Sequence, residues 1–473
     1  MNHSLYRKLD WMLIFCYLIL VIFGWMNVYA SVSGEESRIF DFSTKYGMHL
    51  IWIASAFIIA TLILFAIPPK LYTVFAWWFY VIVVLMLFAV IFVGVEVNGS
   101  KSWFALGPLR LQPAEFSKIA TSVALAVLMG KYGYKFNHFP DAINALTVIG
   151  LPMLLIVMEK ETGSALVYLG FLFVMYREGM SGWVLIYGLM SILLFIITLI
   201  FSPFIAVLTS IGILTILIGA QSRQFFKYLM IGIAVIIVLG LLPEFLDIKA
   251  IAAINPLDAN SWIVILTAPV ALFLLIRSMY KRNKIMRKYM LAFLCGICII
   301  FSVDFVFDNI LQDHQRARIE TLFGMKEDLM GVGYNVHQSL IAIGSGGFGG
   351  KGFLNGTQTR FDFVPEQSTD FIFCTIGEEW GFLGTMSVII IYLIMLVRIL
   401  NSAEKQKDAY IRIYGYCVAS CLFMHVFINI GMTIGLMPVI GIPLPFLSYG
   451  GSSLWAFTIL LFIYIRLDLE RWR

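Results

Sequence analysis

An all-α polytopic membrane protein with about fourteen transmembrane helices is the fold class the sequence predicts, and three observations carry it. Of the 473 residues, 60% are hydrophobic and 13% charged, with a mean hydropathy of +0.90, far from a soluble domain. Apolar runs near the length that spans hydrocarbon recur along the whole chain. Between them Lys and Arg collect in alternate short loops, the bias of cytoplasmic loops. The net charge of +5 therefore reports membrane orientation, and with no basic tail or stripe it argues against a nucleic-acid partner.

The first run, 11–30, is followed by no small-residue cleavage signal and reads as a retained helix. Runs at 49–67, 72–95, 115–130, 143–158, 162–176 and 183–201 follow, then 204–220, 227–242, 262–276 and 290–306. The last three are 382–400, 416–437 and 453–464. Arg7 and Lys8 place the N-terminus inside. Counting alternately, inside loops hold Lys70, Lys131, Arg177, Lys227, the dense run 277–288, Arg398 and Arg466, so both termini are expected in the cytoplasm. Segments 96–114, 159–161, 307–369 and 438–451 then face outward. The longest mixes Gly, charge and apolar stretches, which predicts re-entrant or interfacial helices. The six cysteines lie mostly in apolar runs, where disulfides are not expected. Cys295 and Cys298 have the spacing of half a zinc or redox site without its other half, so they are expected to pack in a core.

Each outer segment offers chemistry alongside a plainer reading. Glu115 and Lys118, three apart at a helix start, share a face and can pair. A charged pair at membrane depth serves function or orients two helices. Trp103, near Lys101, is a site residue or an interfacial anchor. Glu159, Lys160 and Glu161 fill a tight hairpin, either solvated among headgroups or recessed to line a polar cavity or bind a cation. In the long segment Asp328 precedes Gly331-Val332-Gly333-Tyr334, then His337, Gln338 and Ser339, then the glycines of 344–352 with Lys351. Such a loop can cradle a diphosphate, although it lacks the Gly-Lys-Ser/Thr ending of a nucleotide loop. Equally, its glycines can mark tight helix packing. Asp370 at a helix start favours the helix dipole, or with Glu366 pairs Arg316 and Arg318 in an ion network. Pro438, Pro443 and Pro445 frame a broken segment, tolerated only where protein or a cavity satisfies its backbone.

These blocks, in this order, resemble the shape, elongation, division and sporulation (SEDS) family. The resemblance rests on 103–118, the Thr162-Gly163-Ser164-Ala165 turn, 331–356, 364–379 and 438–452, and covers most of the chain. Ile341-Ala342-Ile343-Gly344-Ser345-Gly346-Gly347 and Asn355-Gly356-Thr357-Gln358 are similar to its elongation branch. The resemblance implies a peptidoglycan glycosyltransferase of the cytoplasmic membrane, polymerising lipid II into a growing glycan strand for elongation and rod shape. It also implies a class B penicillin-binding transpeptidase and other elongation-machinery membrane proteins as partners. The family's essential acidic residue falls on Asp328, its Trp on Trp103, and its Glu and Lys on Glu115 and Lys118. Three positions depart from the pattern. The basic residue before the Trp is Ser102 here, with Lys101 one position earlier; the usual Gln-Pro-Asp reads Glu159-Lys160-Glu161; and the His before Thr369 is Ser368.

Against a family core of about ten helices, this chain predicts about four more. The implied organisation is an N-terminal membrane core over 1–201, inserted helices over 202–288 and a core helix over 289–306. An outer catalytic loop over 307–370 and a C-terminal core over 371–473 complete it.

On this reading an acceptor hydroxyl attacks the donor's anomeric carbon and displaces undecaprenyl diphosphate from the opposite face. The diphosphate leaves as a stable anion, so one general base suffices where a glycosidase needs a second carboxyl. Asp328 is the expected base. Trp103, Glu115, Gln338 and Ser339 are expected to contact substrate, and Lys101, Lys118, Arg318 and Lys351 to meet the diphosphate's charge. Glu159, Glu161, Glu366 and Asp370 are expected to form a cavity or ion network. A divalent cation, Mg or Mn, suits such a leaving group, but no ligands for one are readable. The alternatives are a lipid II flippase, which needs no base, and a non-catalytic scaffold of the cell-wall machinery, which needs neither Asp328 nor a polar cavity.

Overall fold

In lipid, backbone polar groups have no partners but one another, which turns long apolar runs into helices. The computed structural model describes residues 8–32, 41–97, 99–107, 109–136, 138–221, 224–242, 244, 259–305, 307, 313–323 and 333–472. Among these, eleven helices are long and apolar enough to cross a bilayer, against the fourteen runs expected. The other three runs fall on shorter helices, for identifiable reasons. Pro113–Met129 has 17 residues and carries Glu115 and Lys118. Thr162–Arg177 is broken by a 3-10 turn at Tyr168–Gly170, and Phe225–Gly240 has 16 residues.

The chain folds as two compact units, Met1–Met180 with Glu327–Arg473, and Ser181–Lys326. In the first, Ala409–Thr433 packs on Pro113–Met129 and Ile372–Glu404, Gly451–Asp468 on Lys45–Phe65, and Trp11–Val32 on Ile372–Glu404. Buried tyrosines lace these helices together. Tyr414 Oη donates to Leu460 O at 3.0 Å, Tyr464 Oη to Ile399 O at 3.1 Å and Tyr80 Oη to Val148 O at 3.0 Å, the usual requirement of a buried phenol. The all-α expectation missed a small meander. Here β1 (Val95–Val97), β2 (Ser100–Leu106) and β3 (Leu109–Leu111) pair antiparallel in order, and β2 packs on Ala76–Val93 and Pro113–Met129.

In the second unit, Pro203–Gln221 packs on Phe225–Gly240 and Lys284–Phe305, while Lys284–Phe305 also meets Ala259–Tyr280 and Gly182–Ile200. Leu194, Val207, Ile211, Ile263 and Ile300 form its core. Cys295 and Cys298, expected in a core, are exposed on the Lys284–Phe305 helix instead: its buried face runs through Phe293, Ile297 and Ile300, which turns both thiols outward. The long segment 307–369 carries short helices, Asp313–Leu322, Tyr334–Ser345 and Thr357–Arg360.

Candidate active site

Pro113 opens its helix at a position where a missing N–H costs nothing, and the first turn then carries Glu115 against the positive end of the helix dipole. Lys118 Nζ lies 2.7 Å from Glu115 Oε1, with the two side chains 2% and 1% exposed. It also lies 2.7 Å from His425 Nε2 and 5.3 Å from the Phe457 ring centre. His425 Nδ1 is 3.2 Å from Pro443 O. The carbonyl only accepts and the ammonium only donates, so the proton sits on Nδ1 and Nε2 accepts from Lys118. The pair read from spacing thus becomes an array that ties the 103–118 block to the broken Pro438–Gly450 stretch. Asn429, one turn after His425, donates to Asp370 O at 2.8 Å and Ile442 O at 2.7 Å. Tyr449 N donates to Ser368 O at 2.9 Å, and Tyr392 Oη to Pro445 O. Protein groups therefore satisfy the broken backbone.

The Glu159–Glu161 hairpin reaches the same place. Gln112 Nε2 donates to Glu161 Oε1 at 2.7 Å, and Ser164 Oγ donates to the same atom. Gly163 is where the hairpin meets the Pro-rich stretch: a Cβ there would stand 2.5 Å from Ile442 Cγ2 and 3.1 Å from Ile440 O. Burial raises the Glu161 carboxyl, the Ser164 and Gln112 hydrogen bonds oppose that, and the Glu115 charge adds to it. Glu159 is recessed rather than solvated. Neither of its oxygens meets a hydrogen-bond partner among the described residues, and Glu115 Oε2 and Glu161 Oε2 share that condition. Burial, reinforced by the Glu161 charge, pushes Glu159 up to about 9, so it holds its proton at neutral pH. Among the described residues, no group of three or more His, Cys, Asp or Glu could hold a metal ion.

The glycine-rich loop is organised around Glu378, whose side chain is fully buried. Glu378 Oε1 accepts from Lys351 Nζ at 2.6 Å, Thr357 N at 2.7 Å and Gln358 N at 2.9 Å, and Oε2 accepts from Thr359 N at 2.9 Å. Gly350 and Gly381 pack backbone on backbone at positive φ, each where a Cβ would fall within 2.3 Å of main-chain atoms. Lys351 N and Gly352 N donate to Glu378 O and Glu379 O at 3.0 and 2.9 Å. Gly346 and Gly350 thus serve close packing, whereas a Cβ at Gly344, Gly347 or Gly349 would meet nothing within 4 Å; the N–H groups of Lys351 and Gly352 are engaged within the protein.

Of the other expected residues, Trp103 lies on β2 opposite Val95, partly buried, and Lys101 is exposed opposite Glu96. Ser339, expected at substrate, is buried and donates to Thr433 O at 2.9 Å. Lys118 and Lys351 likewise have their ammonium groups on protein partners. Gln338 is half-buried on Tyr334–Ser345, and Glu366 is exposed with Thr369 Oγ1 3.1 Å away. Asp370 follows, with its carboxylate beside Gly441. Arg318 lies on Asp313–Leu322 in the second unit, where neighbouring Arg316 donates to Phe307 O at 2.8 Å. Asp328 lies outside the described residues. His425, Asn429, Gln112 and Glu378 went unselected, although His425 and Asn429 form an i, i+4 polar pair in an apolar helix, a signal that marks sites in membranes.

Buried charged side chains inside an apolar helical core define a polytopic membrane protein with a polar site within its helical core. The chain belongs to the FtsW, RodA and SpoVE family: the family model described as cell cycle protein matches residues 10–229 and 221–472. Peptidoglycan glycosyltransferase RodA of Treponema pallidum (strain Nichols) is 30% identical over 453 residues, covering 94% of each chain. Peptidoglycan glycosyltransferase MrdB of Escherichia coli (strain K12) is 28% identical over 393 residues, covering 82% of this chain and 76% of its own. A solved chain described under structural coordination of polymerization and crosslinking by a peptidoglycan synthase complex superposes with a TM-score of 0.60 at 20% identity, over 98% of this chain and 99% of its own. Thermus thermophilus rod shape determining protein RodA gives 0.56 at 19% identity, over 98% of both chains. At those identities the two structures bear on the fold.

Proposed function

We propose that this protein is a peptidoglycan glycosyltransferase that polymerises lipid II at the outer face of the cytoplasmic membrane, with both termini inside and a class B penicillin-binding transpeptidase as partner. One observation carries the reading. Three motif blocks far apart in sequence, 103–118, 159–164 and 438–450, converge on one buried polar cluster, in a chain 30% identical over 94% of its length to a protein named for that activity. Membrane cores tolerate such groups chiefly where they serve function.

In the proposed reaction the acceptor sugar hydroxyl attacks the donor's anomeric carbon, its proton passes to the Asp328 carboxylate, and the carbon–oxygen bond to undecaprenyl diphosphate breaks on the opposite face. Lys101, Trp103 and Gln338 are the proposed substrate contacts. Glu115 and Lys118, buried beneath the outer block, position it, and Lys351 does the same for the glycine-rich turn through Glu378. Glu161 sets the hairpin through Gln112. The test is purified protein given lipid II in detergent. With no bilayer to cross, a flippase yields nothing, and an enzyme yields glycan polymer.

A further inference from the structure

The proposed chemistry uses nothing from 202–288, and the helices there are not packed solid. Between Pro203–Gln221, Phe225–Gly240, Ala259–Tyr280 and Lys284–Phe305 lies a partly open cavity of about 480 Å³, its walls including Ile211, Leu214, Val238, Val270 and Phe293. Thr267 is the one polar residue in its lining, and its hydroxyl donates to Ile263 O at 2.6 Å. With no free polar side chain on its wall, the space suits neither a water network nor a polar ligand. The space is a groove open to the outside, with Val238 and Val270 on its wall 69% and 58% exposed, so apolar walls of this kind are suited to hydrocarbon.

One end of the cavity is basic. Leu274 and Met290 line it. Arg277 follows Leu274 by three residues and Arg287 precedes Met290 by three, so these two cations continue the helix faces that line the cavity, and Lys281 stands in the turn just after Tyr280. All three are exposed. By the loop-charge bias this end belongs with the cytoplasmic leaflet.

We propose that this cavity binds an anionic phospholipid of the inner leaflet, with an acyl chain among the apolar walls and the phosphate headgroup at Arg277, Lys281 and Arg287. The walls alone would accept any chain, and the cations select an anionic head. Their inner-leaflet position separates this lipid from the undecaprenyl-linked substrate, whose proposed chemistry takes place on the opposite face.

Native mass spectrometry of the purified, delipidated full-length protein, titrated with phosphatidylglycerol, phosphatidylcholine or undecaprenyl phosphate, tests this directly. The expected result is one saturable site preferring phosphatidylglycerol. Arg277→Gln, Lys281→Gln and Arg287→Gln should each cut that preference roughly fivefold. Val270→Trp, which fills the cavity, should abolish the site, and the milder Ala234→Leu should weaken it, which keeps the test decisive if the Trp variant does not fold. Undiminished phosphatidylglycerol binding in the filled variants overturns the proposal, as does equal binding of the two phospholipids. Displacement of phosphatidylglycerol by equimolar undecaprenyl phosphate would assign the site to carrier lipid, and a polypeptide retained on this face after delipidation would assign it to a protein partner; either result also overturns it.

Discussion

The most deeply buried spans lie in the first unit and the most exposed in the second, and the buried ones are the less apolar. In the first, the apolar windows of Ala409–Thr433 and Gly451–Arg471 are 67% and 89% buried, while in the second those of Gly182–Ile200 and Trp262–Tyr280 are 11% and 17% buried. Where protein surrounds a helix on all sides, a polar side chain can be given a fixed partner, and His425, Asn429 and Thr458 are all buried there. Where a helix is mostly exposed, side chains facing hydrocarbon must be apolar. The first unit therefore carries the charged array and the second an apolar cavity. Burial alone does not make a site; burial with a partner for each charge does.

The sharpest way to break this contrast is to remove a buried partner. Glu378→Ala leaves Lys351 and the N–H groups of Thr357, Gln358 and Thr359 without their acceptor, so thermal unfolding in detergent should show a loss of about 3–5 kcal/mol. A loss no larger than that at an exposed pair would end the contrast. Lys118→Met strands Glu115 in the core and should cost nearly as much, about 3 kcal/mol. Glu115→Gln combined with Lys118→Met should recover part of it, and simple additivity in that double-mutant cycle would show that the two residues are not coupled.

Glu159 sharpens the comparison by pH. Its carboxyl is raised from 4.5 to about 9 in the folded protein. Between those values the folded state keeps a proton that the unfolded chain releases, so the stability it contributes is lost as pH rises. Glu159→Gln should melt like the wild type near pH 4.5 and a few degrees higher at about pH 8. A constant difference at all pH values would show that Glu159 is ionised or partnered. The smallest effect belongs to Arg177 and Glu404, 2.7 Å apart but 55% and 45% exposed. Arg177→Ala should cost at most about 1 kcal/mol, and less in high salt.

Much of this was legible in sequence because it depends on local spacing. Glu115 and Lys118 pair as their three-residue separation requires, and the prolines of 438–445 mark a real break. What was not legible depends on distant chain. The array's third member, His425, lies 307 residues from Lys118, and no periodicity announces such a meeting. The glycine-rich loop read equally as a phosphate cradle or as packing, and the partner of Lys351, Glu378, lies 27 residues further on, where the spacing of the glycines does not announce it. The meander was missed because strands of three and seven residues are too short to establish a two-residue alternation beside strongly apolar helices.

We propose that one carboxylate, Asp328, supplies the general base for glycan polymerisation. Asp328→Asn keeps the side chain's size and removes its ability to take the acceptor's proton. The direct measurement is glycan polymer formed from lipid II by purified, folded wild-type and variant protein with the transpeptidase present. The wild type should polymerise, and the variant should be slower by on the order of 10²–10⁴-fold while still binding lipid II and the transpeptidase. Near wild-type polymer from Asp328→Asn, or none from the wild type, would contradict it.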